Sequence, residues 1–140
     1  MKAIKIITHP YLLIFSFLFI MISGENFGGI YLIYLLFALP HGAIHAILAL
    51  IGISVLIVSN EKLRTGRIGP ILNLAGALCL FLSLFFFFYN DKQGYNSATF
   101  EQTVPQLSLG LFGILIVGFV FFRVIWKFFK RPFNGNLSII

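Results

Sequence analysis

The stretch GIYLIYLLFALPHGAIHAILALIGISVLIVS occupies Gly29–Ser59. No Asp, Glu, Lys or Arg interrupts it, yet it holds a proline and two histidines. A helix crosses the hydrocarbon of a bilayer in about 20 residues, at about 1.5 Å each. The run is therefore about ten residues too long for one straight crossing. Either a single helix bends at Pro40, or residues 29–39 form a separate short helix ahead of the crossing. Pro40 removes one helical hydrogen bond and frees the Leu36 carbonyl, and Gly42 loosens the same turn. The reading adopted is one long tilted helix kinked near Pro40 and Gly42, with Tyr31 and Tyr34 marking an interfacial start.

Three further apolar runs lie outside it, at about residues 6–23, 68–89 and 104–125. The chain of 140 residues is 59% hydrophobic and only 10% charged, with a mean hydropathy of +1.00. Soluble domains carry about 25% charged residues, so the natural solvent for this chain is a membrane. The expected fold is all-α. Four transmembrane helices form an up-down bundle joined by short connections, one domain over residues 1–140 that ends in a basic tail, 126–140. The first run resembles a signal peptide. However, His9-Pro10 interrupts its front and no water-soluble segment follows, so it is read as an uncleaved first helix.

The charges orient these spans. Lys2 and Lys5 precede the first, Lys62, Arg64 and Arg67 follow the second, and Arg123, Lys127, Lys130 and Arg131 follow the fourth. Glu25, Asp91, Lys92 and Glu101 fall in the other two connectors. The positive-inside rule then expects both termini in the cytoplasm, and the phenylalanine- and isoleucine-rich composition suits a bacterial inner membrane. The net charge of +6 is gathered in short clusters between apolar spans. That pattern suits topology and anionic lipid at the cytoplasmic face, not nucleic acid. Arg123, Trp126, Lys127, Lys130 and Arg131 are the expected lipid or partner contacts.

Small residues mark faces for close helix packing: Ala38, Gly42, Ala46 and Ala49; Gly69, Asn73, Gly76 and Ser83; Gly110 and Gly113. The bulky Leu84–Tyr89 segment reads as lipid contact ending in an aromatic belt. The connector 90–102 reads as a solvated loop. Cys79 has no partner cysteine and no basic neighbour in sequence, and reads as an apolar filler. The two halves share neither spacing nor charge pattern, which argues against an inverted-repeat transporter in one chain.

Polar residues at membrane depth are the functional candidates. His41 and His45 fall in the outer half, within reach of Ser83 and Met21. His9 and Asn73 form a separate inner pair. The leading reading is a hydrogen-bonded kink. Two histidines at i and i+4 could instead chelate a metal, and with Met21 as the soft ligand that metal would be copper. They cannot sandwich a haem alone, so haem would need a second chain. A small-ligand or quinone pocket is a further option. No catalytic residue, nucleophile–base pair or phosphate loop is found, and no cofactor is the leading expectation. The function expected is a non-catalytic accessory subunit of a membrane complex or homo-oligomer. A redox protein carrying haem or metal on His41 and His45, and a small transporter or pore, are the alternatives.

Overall fold

The computed structural model describes residues 6–24, 28–61 and 68–125, with residues 124 and 125 described by their backbone alone. Helix α1 covers Pro10–Leu18. Strands β1 (Met21–Ser23) and β2 (Gly28–Ile30) pair antiparallel. Helix α2 covers Tyr31–Ala38 and ends in a 3-10 turn, Leu39–His41. Helices α3 (Ile44–Glu61) and α4 (Ile68–Tyr89) form a hairpin. A 3-10 turn at Ser97–Phe100 leads to α5, Thr103–Phe119, which continues as a π-helix, Val120–Ile125. Among the described residues three helices are long and apolar enough to cross a membrane: α3, α4 and the Thr103–Arg123 helix. The expectation was four.

The first span departs from a transmembrane helix. Pro10 sits in the first turn of α1, where its missing N–H costs nothing, and His9 Nδ1 caps the helix by accepting from Tyr11 N at 3.4 Å. Nine residues reach only about 14 Å. The chain then extends through β1. Helix and strand together still run the length of α5, because Thr8 O is bonded by Arg123 at one end and Ser23 Oγ bonds Gln102 Oε1 at the other. An extended segment must find partners for its backbone. Here β2, Ser108 Oγ on Met21 N (2.9 Å) and Thr99 Oγ1 on Ser23 N (2.9 Å) supply them.

The second span is broken, not kinked. Gly42 adopts φ +65, a left-handed conformation that ends the 3-10 turn. Helix α3 starts afresh at Ile44. The excess length noted in Gly29–Ser59 goes into β2, α2 and this turn, all gathered at one end of the bundle. Tyr31 packs there on Ser83, and His45 on Phe87. The third and fourth spans match their expected limits within a residue or so.

In lipid, apolar burial drives helices together little, and close packing does most of the work. The α3–α4 hairpin shows it. A Cβ added at Gly52 would lie 3.0 Å from Gly76 O, and one added at Gly76 would lie 2.7 Å from Leu56 Cγ and 3.1 Å from Gly52 O. The two backbones meet at this pair of glycines. Ser59 Oγ closes the same hairpin nearer its connector by donating to Gly69 O at 3.0 Å.

Two other expectations change. Within the Leu84–Tyr89 run, Phe85 and Tyr89 face outward, but Leu84 and Phe87 are buried, Phe87 against Tyr31 and Tyr34 of α2. The connector after α4 is not simply solvated. Thr99 is fully buried and its hydroxyl donates to Ser23 O at 3.2 Å, fastening the turn to the hairpin.

Candidate functional site

The polar groups within the bundle collect at its two ends. At the end that holds the β1–β2 hairpin, Tyr31 is fully buried where α1, α2 and α4 meet. Its ring packs edge-on against Phe17 (5.2 Å between centroids) and Phe87 (5.1 Å). Its hydroxyl lies 3.0 Å from Ser83 Oγ. Ser83 Oγ donates its one proton to the His45 carbonyl at 2.7 Å. The Tyr31 hydroxyl is therefore the donor to Ser83. This relay ties α2 to α4 and α4 to the first turn of α3 through one serine.

His45 contributes its main chain to that relay, and its ring faces elsewhere. The imidazole stands against the Phe87 edge (5.3 Å, 72°) and borders a cavity of about 560 Å³ that is also lined by Ile33, Tyr34, Phe37 and Ala38. No described residue hydrogen-bonds the ring.

The other sequence candidates are arranged as follows. His41 is exposed on the 3-10 turn, and its Nδ1 lies 2.9 Å from Phe37 O, within its own segment. The left-handed Gly42 separates it from α3, so His41 and His45 do not share one helix face. Chelation by an i, i+4 pair needs that shared face. Met21 lies on β1, with its backbone N bound to Ser108 Oγ. No group of three or more His, Cys, Asp or Glu is clustered among the described residues. Pro40 and Gly42 both lie in the break, Pro40 within the 3-10 turn and Gly42 capping it.

At the opposite end, His9 caps α1, and Asn73 is buried on α4 with its Oδ1 unpartnered. No hydrogen bond joins the two. Arg123 is the residue that organises this end. It is expected to contact lipid or a partner, and here it sits half-buried on the π-helical turn. Nη1 donates to Thr8 O at 3.2 Å and Nη2 to Asn60 Oδ1 at 2.6 Å, while the guanidinium lies 5.9 Å from the Phe119 ring centroid. Beside it, the Tyr11 hydroxyl donates to Glu61 Oε1 at 2.8 Å. Trp126, Lys127, Lys130 and Arg131 lie outside the described residues.

Sequence reasoning did not single out Tyr31 or Phe87. By sequence Tyr31 reads as an interfacial marker and Phe87 as lipid contact. A usable signal is present: Ser83 is the only serine or threonine in α4, and a buried hydroxyl in an apolar span calls for a partner.

Comparison with known proteins gives no family model, no curated protein and no solved structure that matches the chain.

Proposed function

We propose that this is an integral membrane accessory subunit that docks a transmembrane helix of a partner, or of a second copy, into a cleft between α4 and α5. The observation that carries this reading is the cleft itself. Helix α5 packs on α1 and on the hairpin end, and meets α4 closely through its π-helical continuation. Nearer the β1–β2 hairpin the two helices diverge and leave a space of about 660 Å³, walled by Phe81, Phe85, Phe88, Phe112 and Gly113 among others. A Cβ at Gly110 or Gly113 would meet nothing within 4 Å. Small residues beside open space in a lipid-facing helix invite another helix. In this reading the Arg123 end faces the cytoplasm of a bacterial inner membrane, with both termini inside, as the basic connectors argue.

Native mass spectrometry after gentle extraction tests the proposal. The expected spectrum shows the chain with a second copy or a partner, and Gly113→Leu, which fills the cleft, releases a monomer. A wild-type protein that flies only as a solitary monomer would count against it.

A further inference from the structure

A second space, on the other side of α4, has a different character. It lies between α2 and the start of the α3–α4 hairpin and is lined by Ile33, Tyr34, Phe37, Ala38, His45 and Phe87. At about 560 Å³ it is within the range of small-molecule pockets. Its walls are almost all carbon, and three of its six residues are aromatic. The Tyr34 side chain already has an interaction partner. The His45 imidazole has no hydrogen-bond partner among the described residues.

A polar group left unpaired in hydrocarbon is costly, and a ligand that satisfies it gains that energy back. The imidazole is also held in place. Phe87 packs against its face at 5.3 Å, the Tyr31 ring lies 6.5 Å away, and Ser83 fixes the backbone beneath it. A neutral imidazole offers one N–H donor, which suits a carbonyl oxygen. No Lys or Arg lines the cavity, so a carboxylate would enter without a counter-charge. The flat aromatic walls of Tyr34, Phe37 and Phe87 suit a planar head. Leu36 and the lining Phe37 are exposed, so the cavity opens to the outside of the bundle and not into its core.

We propose that this cavity binds a membrane-dissolved quinone: a planar neutral head whose carbonyl accepts from the His45 ring, with its tail directed into lipid. This goes beyond the docking role above and concerns the opposite face of α4.

The test uses the full-length protein in nanodiscs and a photoreactive decyl-benzoquinone. The expected result is saturable labelling of peptides covering residues 31–45 or 87, displaced by unlabelled decyl-benzoquinone but not by oleic acid. His45→Phe keeps the volume but removes the N–H, and should weaken binding about tenfold. Ala38→Trp fills the cavity from its wall and should abolish labelling while circular dichroism stays unchanged. Gly113→Leu, in the other cleft, should leave labelling intact, which keeps this test separate from the docking proposal. Equal displacement by oleic acid would overturn the assignment, as would labelling unchanged in both His45→Phe and Ala38→Trp.

Discussion

At the scale of single residues, one serine hydroxyl joins three helices. Ser83 accepts from the Tyr31 phenol and donates to the His45 carbonyl. Removing either partner has unequal consequences. Tyr31→Phe deletes a donor and leaves Ser83 still bonded to His45. Ser83→Ala removes the closest partner of the buried Tyr31 hydroxyl and leaves it only the main-chain oxygen of residue 83, at 3.4 Å, and a poorly satisfied buried hydroxyl costs up to about 1–3 kcal/mol. Unfolding in mixed detergent micelles should therefore show Ser83→Ala as the more destabilising change. The double variant should cost less than the sum of the two, because the orphaned hydroxyl is gone. Additive losses would mean that the two hydroxyls do not interact. Arg123 plays a comparable part at the far end, where its guanidinium holds α1 and α3 to the π-helical turn.

At the scale of elements, the sequence was legible where hydropathy decides and illegible where local backbone chemistry does. Helices α4 and α5 fall almost at their expected ends, since an unbroken apolar run with polar flanks leaves little choice. The first two spans were as apolar but were misread. Apolar residues suit a buried strand as well as a helix, and periodicity cannot separate them. In the first span the strand is specified by Gly28 and Gly29 pairing back across the connector, and by hydroxyls of Ser108 and Thr99 far along the chain. In the second, Pro40 alone is compatible with a kink. The left-handed turn at Gly42 is what makes it a break, and α2 beyond it is seated through its own buried Tyr31 on Phe17, Ser83 and Phe87. His45 and Ser83 were placed at the same depth by rise per residue, whereas the buried Tyr31 that unites them came from α2, an element the adopted reading did not contain.

The α3–α4 crossing gives a prediction at this scale. Gly52→Val or Gly76→Leu forces side-chain atoms into a backbone contact of about 3 Å. Overpacking of this kind costs about 1–3 kcal/mol. Gly110→Leu adds comparable bulk where nothing lies within 4 Å, and should leave stability nearly unchanged. The two classes of variant are compared by their thermal unfolding midpoints in one detergent. Equal sensitivity at all three glycines would remove the special status of the crossing.

At the scale of the whole molecule, the bundle has two unlike ends. One gathers Thr8, Tyr11, Asn60, Glu61 and Arg123. The other gathers the β-hairpin, α2, the 3-10 turn at Ser97–Phe100 and the start of α5. A rigid α3–α4 hairpin separates two apolar spaces, one beside α5 and one beneath α2, and α2 exists as the wall of the second only because the chain breaks after His41. The break, and the placing of residues 28–43 at one end of the bundle, is the central structural claim. It is tested most directly by cysteine labelling with a membrane-impermeant maleimide in a Cys79→Ser background. Single cysteines at His41, Ser97 and Glu61 report on the turn after α2, the far connector and the end of α3. The account predicts that positions 41 and 97 react together from the outer side, and that 61 reacts only once the inner side is opened. A protected position 41 beside a reactive 97 would restore the continuous kinked helix, and 61 reacting together with 97 would show that α3 and α4 do not cross.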